Sequence, residues 1–184
     1  MNGGRYTGQV KTEQTNMQQD ADPGSLKKHP NILLIVMLMA IAAMAAVQIT
    51  LRPIIVTGDS MTPAYKNGEF ILTKRIKSLT DIDYGTVIVF KDVASGNKLY
   101  IKRVEGLPGD DIRIEDGYLI RNGEVIDEGL PLIENSGLAA EGIMIPEDSV
   151  FVLGDNRNAS TDSRETGPIS MSDIKGTVRA QRDP

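Results

Sequence analysis

Tyr118-Leu119-Ile120-Arg121-Asn122-Gly123-Glu124-Val125-Ile126 reads as two short strands joined by a two-residue turn. Asn-Gly is the dipeptide best suited to a type I′ hairpin, because both of its residues tolerate positive φ. Working outward, the same grammar recurs. Ile54-Ile55-Val56, Phe70-Ile71-Leu72, Thr86-Val87-Ile88-Val89-Phe90 and Val150-Phe151-Val152-Leu153 are short apolar or β-branched runs bounded by turn residues. No segment after residue 51 sustains a 3.6-residue apolar period, and no repeat is evident. The expected fold is mostly β, a compact domain over residues 52–184, the size of one ordinary domain.

Before that domain the character changes. Residues 1–29 are rich in Gly, Gln, Asn, Asp, Thr and Lys, too poor in large apolar side chains to offset the entropy of ordering, and are expected to be a disordered tail. From Pro30 to Leu51 no residue is charged. A run of that length matches the roughly 20 residues a bilayer requires, and in lipid the backbone must satisfy itself as a helix. Residues 30–51 are therefore expected to be a transmembrane anchor. Lys27 and Lys28 precede it and only Arg52 follows, which places the N-terminus in the cytoplasm and the domain outside. Ala43-Met44-Ala45 also fits the small-x-small pattern of a cleaved signal peptide; the long tail and the apolar residues beyond Ala45 favour an uncleaved anchor.

Composition excludes several chemistries. The net charge is −5 with dispersed charges, so no nucleic-acid footprint is present. There is no cysteine and a single histidine, His29, which removes thiolate catalysis and the usual zinc ligand sets. No metal and no cofactor is expected.

Ser60 lies in Gly58-Asp59-Ser60-Met61-Thr62-Pro63, beyond the apolar run, while His29 precedes it. If the run spans a membrane the two cannot meet, and a Ser-His-Asp triad is excluded. A nucleophilic Ser60 would need a lysine base. Lys102 is the candidate, because strand alternation puts Lys98, Tyr100, Lys102 and Val104 on one face and Arg103 on the other. A lysine amine becomes a base near neutrality only if burial or a nearby cation lowers its pKa. By themselves, Gly-Asp-Ser in a turn and Lys in a strand read as turn chemistry and a snorkelling surface residue.

Taken with Tyr100-Ile101-Lys102-Arg103-Val104-Glu105-Gly106-Leu107-Pro108-Gly109-Asp110 and Gly154-Asp155-Asn156-Arg157-Asn158-Ala159-Ser160-Thr161-Asp162-Ser163-Arg164, the Ser60 segment and the anchor make a sequence that resembles the bacterial type I signal peptidases, the Ser/Lys serine proteases that remove signal peptides from secretory preproteins after Ala-x-Ala sites. The resemblance implies Ser60 as nucleophile and Lys102 as general base, with the Ser60 N–H facing the oxyanion. It implies that the Ser160 hydroxyl orients the lysine amine and that Asp162, Arg164 and Arg103 form an ion-paired support. It further implies that Met61, Tyr100 and Val56 line the pocket for the small residue before the cleaved bond. Some Gram-negative members carry a serine where this chain has Gly58; Gly-Asp-Ser-Met is the Gram-positive form. The chain also has no tryptophan to seat it on lipid. The partners implied are preproteins and membrane lipid. Two other readings use the same residues: a catalytically silent scaffold or chaperone for surface-polymer (pilus) assembly, and a LexA-like self-cleaving regulator, which the anchor disfavours.

Overall fold

The computed structural model describes Gly3 and residues 31–92, 96, 98–126 and 129–184, with the side chains of 46–50 left aside. The tail expected over 1–29, His29 included, lies outside the described residues but for Gly3. The chain divides into two compact units, residues 1–40 and 41–184, and the boundary falls inside helix α1 (Ile32–Thr50). The described apolar side chains of α1, Ile32 to Met44, are exposed. Among the described residues no helix is long and apolar enough to cross a membrane. The helix is also shorter than the expected span 30–51, because Leu51 already opens a strand.

The second unit is β. β1 (Leu51–Ile55), β2 (Phe70–Lys74), β3 (Val87–Asp92), β4 (Lys98–Gly106), β9 (Ser149–Leu153), β10 (Ile169–Ser170) and β11 (Ile174–Val178) form one sheet in the order β1-β2-β11-β3-β4-β9-β10. β5 (Asp111–Glu115), β6 (Tyr118–Arg121), β7 (Glu124–Ile126) and β8 (Ile143–Met144) form a second, in the order β7-β6-β5-β8. Among the described residues every ladder is antiparallel. Besides the end of α1, the second unit has among the described residues one short α-helix, α2 (Ser163–Thr166), and two 3-10 turns, Leu79–Asp81 and Gly137–Ala140.

The hairpin that opened the sequence reading is β6–β7. Leu119 faces Ile126 and Ile120 faces Val125, with Asn122 at φ 55° and Gly123 at φ 84°, both positive as a type I′ turn requires.

β3 and β9 are continuous apolar runs because both of their faces are covered. Val87 and Val89 pack with Val56, Met61, Tyr65 and Ile71, whereas Ile88 and Phe90 pack with Val104, Val150 and Val152. The other face of β9, Phe151 and Leu153, joins Ile112, Leu119 and Ile145 beneath the second sheet. β4 bulges where it meets β9, between Val104 and Gly106. A side chain at Gly106 would stand 2.8 Å from Ile112 and 3.0 Å from Phe151, which is why a glycine occupies the point where the two sheets close up.

A strap, Arg179–Arg182, ties the Ser60 region to β3 and β4. Tyr65 donates its hydroxyl to the Ala180 carbonyl at 2.7 Å, Arg182 donates to the Ala64 carbonyl at 2.9 Å, and Arg103 donates to the Arg182 carbonyl at 2.9 Å. The Gln181 side chain accepts from the Val87 N–H at 2.7 Å.

Candidate active site

β1 delivers the chain into a turn that starts at Gly58, where φ is +89°, a left-handed value that favours glycine. The Gly58 N–H is held by the Asn67 side chain at 3.1 Å. The turn then winds tightly, with Thr62 N–H donating to the Asp59 carbonyl at 3.1 Å and Tyr65 N–H to the Met61 carbonyl at 2.8 Å. Ser60 sits at its head. Its own N–H has no hydrogen-bond partner among the described residues.

Lys102 arrives from the middle of β4 and is 1% exposed. Its Nζ donates to Ser60 Oγ at 2.7 Å and to the Ile101 carbonyl at 3.0 Å, and lies 5.6 Å from the centre of the Tyr100 ring. Among the described residues no carboxylate bonds to it. Burial pushes the amine down to about 8; Asp162 and Asp155 pull the other way, and Arg164 adds a smaller downward push. Desolvation wins because taking an ammonium out of water costs more than carboxylates already committed to arginines can return.

A cleft of about 460 Å³ opens beside the pair, bordered by Ile54, Val56, Ile71, Val89, Tyr100 and Ile101 together with Ser60 and Lys102. Val56 and Tyr100 are thus where the pocket was expected. Met61 is not: it is fully buried in the core with Tyr65 and Val87 and does not border the cleft. The winding of 61–65, with Tyr65 N–H on the Met61 carbonyl, turns it inward, away from the cleft that the resemblance implied for it.

The Gly154–Arg164 segment wraps the other side of Ser60. Asn156 N–H donates to the Ser60 carbonyl at 3.1 Å. A Cβ on Gly154 would lie 2.5 Å from that carbonyl and 2.2 Å from Ser160 Oγ, so only glycine fits between them. The Ser160 hydroxyl is buried and makes no hydrogen bond; the lysine amine bonds Ser60 and Ile101 in its place, contrary to the expected orienting contact.

Three buried ion pairs support the segment. Arg164 grips Asp162 through Nε at 2.8 Å and Nη2 at 2.9 Å, and Asp162 also receives the Gly154 N–H at 3.0 Å. Arg103 does not join that pair. It forms its own fork on Asp155, 2.8 Å on both arms, because alternation turns it to the opposite side of β4 from Lys102. Arg157 pairs with Glu105 at 3.1 Å. Asp155, Glu105 and Arg157 were missed as supports, although each lies inside a motif already singled out; charged residues next to apolar strands were the available signal. Among the described residues no group of three His, Asp or Glu side chains is placed to hold a metal ion.

Comparison with known proteins gives the family to which the chain belongs. Residues 30–181 match the family model described as signal peptidase, peptidase S26. Signal peptidase I U of Bacillus subtilis is 36% identical over 168 residues, covering 83% of this chain and 89% of the relative. Signal peptidase IB of Staphylococcus aureus is 34% identical over 144 residues, 68% of this chain and 74% of the relative. A crystal structure of a signal peptidase I from Enterococcus faecalis superposes with TM-score 0.44 at 27% identity, covering 52% of this chain and 95% of that one.

Proposed function

Because this chain belongs to the signal peptidase family, peptidase S26, we propose that Ser60 is its nucleophile and Lys102 its general base. The protein is a serine protease that removes signal peptides from secreted preproteins. The 2.7 Å contact between Nζ and Oγ, with the amine lowered to about 8 by burial, is the observation that carries the assignment.

The neutral amine takes the Ser60 proton as Oγ attacks the scissile carbonyl carbon. The unpartnered Ser60 N–H faces the oxyanion. The resulting Lys102 ammonium, dry and without a carboxylate partner, then gives its proton to the leaving amine nitrogen. The acyl-enzyme is resolved by a water that gives a proton to Lys102 as it attacks; the acyl carbon–Oγ bond then breaks and Lys102 returns the proton to Ser60 Oγ, restoring the neutral amine. Arg103, Asp162 and Arg164 keep the surrounding backbone in place through their ion pairs.

The preprotein's extended C-region lies in the cleft between Ile54–Val56 and Lys98–Lys102, a strand-addition mode in which main-chain bonds hold the substrate and side chains select it. Val56 and Tyr100 exclude large residues before the cleaved bond, in keeping with an Ala-x-Ala preference. The uncharged run from Pro30 to Leu51 is the membrane anchor: its length matches the roughly 20 residues a bilayer requires, which the described residues of α1 do not meet by themselves. Residues 1–29 are then cytoplasmic and 52–184 extracytoplasmic. The test is processing of a preprotein with an Ala-x-Ala site: Ser60→Ala and Lys102→Ala should each abolish it in folded protein, and substantial residual cleavage by either sinks the assignment.

A further inference from the structure

Asn156 stands in the Gly154–Arg164 block, yet no step above uses its side chain. It bonds two consecutive carbonyls of the Ser60 turn: its N–H holds the Ser60 oxygen at 3.1 Å and its Nδ2 holds the Asp59 oxygen at 3.2 Å. The second bond matters because of what lies at the other end of the same peptide. The only cis bond among the described residues is Thr62–Pro63, so the Asp59–Ser60 unit is trans and planar, and its C=O and N–H point in opposite directions. Whatever pulls the Asp59 oxygen towards Asn156 aims the Ser60 N–H away from it. That N–H has no hydrogen-bond partner among the described residues.

We infer that Asn156 is a positioning residue for the oxyanion donor: its amide holds the Asp59–Ser60 peptide plane so that the Ser60 N–H stays directed at the developing negative charge. This rests on the Ser60 assignment above. Two further features favour a role in aim over a role in folding. The Asn156 side chain is only partly buried, so little stability depends on it. The other donor to the Asp59 oxygen, Thr62 N–H at 3.1 Å, belongs to the same turn and moves with it; Asn156 is the contact that references the plane to a separate part of the fold. Gly58 makes this reference more consequential, because the position has no side-chain hydroxyl to share the oxyanion.

The experiment compares Asn156→Ala and the near-isosteric Asn156→Leu with the parent as full-length, detergent-solubilised protein, using a peptide with an Ala-x-Ala site. A misdirected donor weakens an interaction made only in the transition state, so kcat should fall by about tenfold or more with KM within about twofold. The midpoint of the kcat–pH profile should stay that of the parent, because the amine of Lys102 is untouched. Circular dichroism and the unfolding temperature should match the parent in both variants. A kcat within twofold of the parent, a loss that resides in KM, a shifted pH midpoint, or activity lost only in step with folded content overturns the inference. Ser60→Ala, run alongside, separates the two claims. If it is inactive while both Asn156 variants keep full kcat, the positioning role alone falls; if it retains cleavage, the nucleophile assignment falls first.

Discussion

Lys102 and Arg103 are neighbours on β4 with side chains 1% and 3% exposed, but they look out on different surroundings. The Arg103 side is a charge-paired region. Burial opposes its guanidinium's charge, yet the hydrogen bonds and charge of Asp155, with Glu105, outweigh that and hold its pKa above the ordinary value. The Lys102 side is the cleft, walled by Val56, Val89, Tyr100 and Ile101, where the amine meets a hydroxyl and a carbonyl and falls to about 8. Burial alone therefore does not make a base. What decides is whether a carboxylate is bonded to the buried cation, and one residue of strand alternation separates the two outcomes.

The difference can be broken most severely at the dyad. Ser60→Ala and Lys102→Ala should each lower kcat/KM by at least about 10³-fold, since the pair acts as a unit, measured by precursor cleavage. On the paired side the loss should appear as stability. Asp162→Ala strands the Arg164 guanidinium and frees the Gly154 N–H, and should cost about 3–5 kcal/mol, as removal of one partner of a buried pair does; denaturant unfolding reads it, and a cost under about 1 kcal/mol would mean water takes over the carboxylate's role.

A subtler break uses pH. Activity requires the neutral amine, so kcat/KM should rise through a midpoint at about 8. Stability follows the same group. Between about 8, the folded value, and 10.5, the ordinary one, the unfolded chain binds a proton that the folded chain does not, so Lys102 makes stability rise with pH across that window, by roughly 3 kcal/mol. Lys102→Met should remove this rise, making the variant more stable than the parent at pH 7 and eroding that advantage towards pH 10.5. Equal pH dependence in both proteins would show the amine to be solvated. The smallest effect is expected where a charge pair is exposed: Glu69→Gln, which breaks the 2.6 Å contact with Arg182, should leave the unfolding temperature and kcat unchanged, because water screens such pairs.

Much of this was legible in the chain. The β6–β7 hairpin followed from Asn122-Gly123, where positive φ is written into the residue types, and the buried strands β3 and β9 from unbroken apolar runs. The approach of Lys102 to Ser60 was legible from the resemblance that their two motif blocks carry. Met61, placed at the pocket by resemblance, lies in the core because the turn after Ser60 winds back on itself, a local conformation that no periodicity writes. The partners of Arg103 and Ser160 misled because pairing choices depend on which loop lies against which strand.

By itself, then, the amino-acid order determined what is local: strand character, the hairpin, the uncharged run from Pro30 to Leu51, and a chemistry without cysteine or a usable histidine. Only the folded arrangement decided that Arg103 takes Asp155 while Arg164 takes Asp162, that Gly154 leaves room for the Ser60 carbonyl, and that the Lys102 amine is dry. Apart from the local Arg164–Asp162 pair, those outcomes rest on contacts between segments far apart in sequence. The desolvation that lowers an amine's pKa is a property of everything packed around it and of no stretch of residues alone.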